Sequence, residues 1–160
     1  MVLGKYKFST ENLSNIQDVA EVLLYITVRA VLGVFVSLVT STTLYLVSLP
    51  VVLSIWARTS IDFDVVGMVF TSAGATIGGF LVWLERDRPG RVQLVFLGLT
   101  LLFAAAGAWI GLISDSGVRY DILGLPGIPV LISLIVGAAL GANVPHFLIM
   151  AVKAFKNPRL

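Results

Sequence analysis

Cysteine is absent from the 160-residue chain, and histidine occurs once. The first absence excludes disulfides, thiolate metal sites and cysteine nucleophiles. The second excludes the paired-histidine spacings of most metal centres. Charge is scarce too, at 12% of residues against the roughly 25% usual in soluble domains. Four stretches, residues 30–57, 65–84, 92–113 and 128–152, contain no Asp, Glu, Lys or Arg. Ionisable groups at bilayer depth mark proton relays, ion sites and gating charges, so their lack argues against those classes and against an enzyme. No Gly-rich phosphate loop precedes a helix, and no Gly-x-Ser-x-Gly surrounds a serine.

What the chain does have is apolar surface. Hydrophobic residues make up 58% of it, and the mean hydropathy is +0.98. A soluble protein of this size could not hide so much, and exposing it would cause aggregation. Each of the four stretches is long enough for a helix crossing a bilayer core of ~30 Å. The reading is an all-α, polytopic membrane protein: four transmembrane helices preceded by an amphipathic N-terminal helix. Residues 1–29 form a cytoplasmic or interfacial segment, 30–152 the four-helix domain, and 153–160 a basic cytoplasmic tail. The first apolar run is too long and starts too late for a secretory signal peptide, so Met1 is expected to stay attached. A formal net charge of only +2 gives no basis for nucleic-acid binding.

Basic residues resist translocation, and they are unevenly placed. Lys5, Lys7, Arg29, Arg86, Arg88, Arg91, Lys153, Lys156 and Arg159 fall on one side, and only Arg58 and Arg119 on the other. Both termini are therefore expected in the cytoplasm, with the cell membrane as the location. Trp56, Trp83 and Trp109 lie near span ends, as interfacial aromatics do. Before the first span, Leu13, Ile16, Ala20, Leu23 and Leu24 share one helical face, and Ser14 and Gln17 have capping-box spacing. A bend near Arg29, with its guanidinium reaching to lipid head groups, would lay this segment along the surface.

Small residues recur where leucines would be expected. "GATIGG" begins at Gly74, and a near copy, "GAALGA", begins at Gly137, an offset of 63 (137 − 74). With Gly107 and Gly111, the rows Gly74/Gly78 and Gly137/Gly141 allow close backbone approach between helices. Duplication of a two-helix hairpin in one orientation would produce the repeat, and so would convergence on small residues.

Two polar features compete with a purely packed bundle. Ser37, Thr40, Ser41, Tyr45 and Ser48 fall near one side of the first span and could line a path for a neutral solute in a ring of subunits. Such hydroxyls also bond readily to helix carbonyls. His146 follows Pro145, which frees the Gly141 carbonyl, and Asn143 could answer that carbonyl or the imidazole. Ala142-x-x-x-His146 resembles the Ala-xxx-His of purple-bacterial antenna polypeptides over five residues, although Pro145 departs from it. That resemblance implies a haem or chlorophyll ligand at His146, with Ala142 leaving room for the macrocycle. The reading adopted is a non-catalytic membrane subunit with no cofactor. It acts through helix contacts in a homo-oligomer or larger membrane complex, with lipid as its other partner. The alternatives are the small channel and the tetrapyrrole carrier.

Overall fold

The structure, a computed structural model, describes residues 10–59, 63–84, 89–115 and 128–156. The described residues are helical, with no strand among them. Four helices follow in order: α1 Thr10–Arg58, α2 Phe63–Trp83, α3 Gly90–Asp115 and α4 Ile128–Lys156. Each carries a segment long and apolar enough to cross a membrane: Leu23–Ile55, Asp64–Trp83, Gly90–Ser114 and Leu131–Val152. Residues 1–9, 60–62, 85–88, 116–127 and 157–160, with most of the expected loop and tail positions, lie outside the described residues. So do the side chains of Trp56, Ser14 and Gln17.

The amphipathic segment and the first span are one helix. α1 has 49 residues, about 74 Å at 1.5 Å per residue. Ser14 lies inside it, a turn beyond its start, and helical bonding continues through Arg29 where a bend was expected. The physical reason is plain. Neither proline nor glycine occurs between Thr10 and Leu32, so nothing disrupts the backbone ladder. A change in side-chain polarity alone does not break a helix.

α2 and α4 form the middle of the bundle. α1 packs on both of them, α3 packs on both of them, and among the described residues α1 does not touch α3. The core joins Ala75 of α2, Ala104 and Ala108 of α3, and Leu134, Ala138 and Ala142 of α4. Alanines there bring the helices close.

The glycines explain how close. A Cβ added at Gly74 would lie 2.6 Å from the Ser41 Cα, and one at Gly78 would lie 2.7 Å from the Ser37 Cα, both on α1. On the other hairpin, Gly107 and Gly137 each face the other's carbonyl oxygen, Gly111 faces that of Ser133, and Gly141 faces that of Phe103. Each copy of the repeat thus meets the helix before it in the chain. Residues related by the offset of 63 also meet each other. Gly79 lies against Ala142, with the added-Cβ contact at 3.3 Å, and the Trp83 and His146 rings stack. This is the contact pattern of an approximate twofold axis between α2 and α4.

Candidate functional site

One stripe of α1 carries the polar contacts. Arg29, Gly33, Ser37, Ser41 and Tyr45 recur every four residues and so stand above one another on a helix. Apart from Arg29, all are buried. Higher on this stripe, the Ser41 hydroxyl donates to the Thr71 carbonyl at 2.8 Å and the Ser37 hydroxyl to that of Ala75 at 3.1 Å. Thr40 lies 2.7 Å from the Gly74 carbonyl and 2.9 Å from its own Val36 carbonyl. Ser48 bonds locally, to the Tyr45 carbonyl at 2.9 Å. The hydroxyls of Ser37, Thr40, Ser41 and Ser48, read as possible pore-lining groups, therefore sit on α2 backbone or on their own helix. The α2 glycines make this possible, because absent side chains leave the carbonyls within reach.

Toward the start of the first span, the stripe meets a buried polar and aromatic seam. The Asn143 amide nitrogen donates to the Ala139 carbonyl at 2.8 Å and to the Ser37 hydroxyl at 3.2 Å. Its carbonyl oxygen accepts from the Trp83 indole at 2.8 Å. Asn143 thus ties α1, α2 and α4 together, and neither the Gly141 carbonyl nor the imidazole is among these partners. Gly33 is what makes the tie fit: a Cβ there would collide with the Asn143 side-chain oxygen and lie 3.0 Å from the indole nitrogen.

His146 is 4% exposed and lies between two rings. Trp83 stacks on it with centroids 5.6 Å apart and planes 3° from parallel, and Phe96 with centroids 5.8 Å apart. Its Nε2 is 2.7 Å from the Thr100 hydroxyl. That hydroxyl also lies 2.7 Å from the Phe96 carbonyl of its own helix, and the tautomer of His146 decides which of Thr100 and Nε2 gives the proton in their contact. Ligation through Nε2 would require displacing Thr100, while Ala142 is fully buried against α2 rather than opening onto space.

The seam ends at Arg29. Its Nε and one terminal nitrogen donate to the Val82 carbonyl at 3.1 and 2.9 Å, and the other donates to the Tyr25 hydroxyl at 2.7 Å. The guanidinium lies 5.1 Å from the Trp83 ring centre and 5.7 Å from that of Tyr25. Arg29 thus closes the C-terminal turn of α2, where unpaired carbonyls and the helix dipole favour a cation. Trp83, read as an interfacial aromatic, is 4% exposed and interior; Trp109 is half exposed. Among buried side chains of the described residues, only the Ser72 hydroxyl has no hydrogen-bond partner.

Sequence reasoning did not find Gly33, Thr100 or the role of Arg29. Gly33 faces Asn143 and Trp83, Thr100 meets His146 46 residues on, and Arg29 bonds a backbone carbonyl 53 residues on. One signal was available, since Trp83 and His146 are related by the same offset as the two glycine repeats. Comparison with family models, curated proteins and solved structures gave no match.

Proposed function

We propose that the chain is an integral membrane subunit without catalysis of its own, working through helix contacts in a homo-oligomer or a larger membrane complex. One observation carries this reading. Ser37, Ser41 and Asn143, buried between the helices, are engaged by other helices of the same chain. Ser37, Ser41 and Asn143 serve packing in this account, and His146 completes the same seam. What the bundle offers to other molecules is its outer surface. α1 presents Val31, Phe35 and Val39, and α3 presents Leu94, Val95 and Leu102, all exposed. α1 is also more than twice as long as a bilayer core of ~30 Å, so its first turns stand clear as an arm.

The basic count supports an orientation with both termini and the residue 85–91 segment in the cytoplasm. A chain without cysteine allows a direct test. Ser60→Cys should react with an impermeant maleimide on intact cells, and Arg88→Cys should react only after lysis. Labelling of Arg88→Cys in intact cells would reverse the orientation.

The same approach tests assembly. Cysteines placed singly at Phe35 on α1 and Gly98 on α3 should give cross-linked pairs or adducts with another membrane chain. Monomer alone at both positions would count against the subunit reading. For the tetrapyrrole alternative, His146→Asn should cost about 1 kcal/mol, the scale of one membrane hydrogen bond, and leave the visible spectrum flat. A Soret or chlorophyll-type band in the parent protein, lost in this variant, would establish His146 as a ligand.

A further inference from the structure

Arg29 is a full positive charge held at the level of the last turn of α2, where the Leu23–Ile55 and Asp64–Trp83 segments run side by side. A guanidinium has five N–H donors. Three are used here, two on the Val82 carbonyl and one on the Tyr25 hydroxyl. Two take no partner among the described residues. No carboxylate among those residues pairs with Arg29, which a carbonyl and two ring faces hold in place. A cation at a membrane boundary attracts an anion far more strongly than one in water. The site is also open to one, since Arg29 is half-buried and Tyr25 is 54% exposed. Val28 and Leu32, close to Arg29 along α1, are exposed and apolar.

We infer that Arg29, framed by Tyr25 and Trp83, binds the phosphate of an anionic phospholipid, with the lipid chains lying along the exposed apolar surface of α1. The planar fork suits a phosphate, which accepts two parallel N–H bonds. The Val82 carbonyl and the two rings fix the fork before the lipid arrives, so little side-chain freedom is lost on binding. The lipid rather than free phosphate is the occupant, because the apolar strip beside the charge rewards a ligand that has both parts. Bound there, the lipid would reinforce the contact of α1 with the end of α2.

This inference rests on the membrane reading, and the test separates the two. The full chain is first mixed with phosphatidylcholine vesicles and floated; failure to float contradicts membrane insertion itself. Protein in an equal mixture of phosphatidylglycerol and phosphatidylcholine with matched chains is then examined by native mass spectrometry. One retained lipid should be phosphatidylglycerol, enriched roughly tenfold. Arg29→Gln should remove the enrichment, and Arg91→Gln, at an exposed arginine on α3, should keep it. Equal retention of both lipids by the parent protein overturns the proposal, as does enrichment unchanged in folded Arg29→Gln.

Loss of the α2 cap could unfold that variant, so a second measurement uses the parent chain. Phenylglyoxal modification of Arg29, mapped by peptide mass, should be slowed several-fold by phosphatidylglycerol and by neither phosphatidylcholine nor inorganic phosphate. Equal rates in all three overturn the proposal. Protection by inorganic phosphate as strong as by the lipid overturns the assignment to a lipid.

Discussion

Gly141→Ala should loosen α4 from α3 and lower the melting temperature of the purified protein by several degrees. The added methyl group is small, but it points at the carbonyl oxygen of Phe103 and would lie 3.2 Å from the Gly107 Cα. Neither obstacle is a flexible side-chain tip. The helices must separate or slide, and overpacking of this kind costs about 1–3 kcal/mol, with backbone obstacles at the upper end. Gly98→Ala is the matched control. It lies on α3 as well, and a Cβ there meets nothing within 4 Å. Replacing a helical glycine in open space favours the helix by up to about 1 kcal/mol in water, so that variant should melt at or slightly above the parent. Gly78→Ala should behave like Gly141→Ala, because the α1 backbone at Ser37 is 2.7 Å from its added Cβ. Indistinguishable melting of Gly141→Ala and Gly98→Ala would show that α3 and α4 are not in contact at these glycines.

The second large effect is expected at Asn143. Asn143→Leu keeps the number and branching of the side-chain heavy atoms, adds some bulk, and removes every polar bond at once. The Trp83 indole loses its acceptor, while Ser37 and the Ala139 carbonyl lose a donor. Measured membrane hydrogen bonds average only about 0.6 kcal/mol. A buried donor left unmatched costs about 1–3 kcal/mol, and the indole is enclosed between Arg29 and His146. The second figure should govern, giving a loss near 2 kcal/mol. Trp83→Phe removes the orphaned donor. The double variant should therefore lose less than the sum of the singles, by a margin that a double-mutant cycle resolves. Strict additivity would mean that the Trp83–Asn143 bond contributes nothing.

Local chemistry in the sequence was enough to read some of this. Gly74, Gly78, Gly137 and Gly141 stand out because small residues at four-residue spacing in an apolar run have few uses other than close approach. The hydroxyls of Ser37 and Ser41 stood out for their spacing, but not for their partners. A serine bonding the carbonyl of a neighbouring helix and one lining a path have the same periodicity, and only the position of α2 separates them. The part Arg29 plays at the end of α2 was hidden for a similar reason. At the edge of an apolar run a guanidinium suggests head groups, yet the Val82 carbonyl, 53 residues away, is an end-of-helix acceptor that no side-chain pattern announces. Gly33 gave no signal alone, since its value lies in what Asn143 and Trp83 place beside it. The bend was expected because a straight helix of this length exceeds the bilayer core about twofold, whereas helices stop for backbone reasons.

The central claim is that this chain acts as a subunit, through its outer surface. The native mass of the full chain, extracted from its own membrane without harsh detergent, tests this most directly. The account predicts a particle holding several copies of the 17.2 kDa chain, or one or more copies together with other membrane chains in fixed ratio. A particle of a single 17.2 kDa chain carrying only lipid would contradict it.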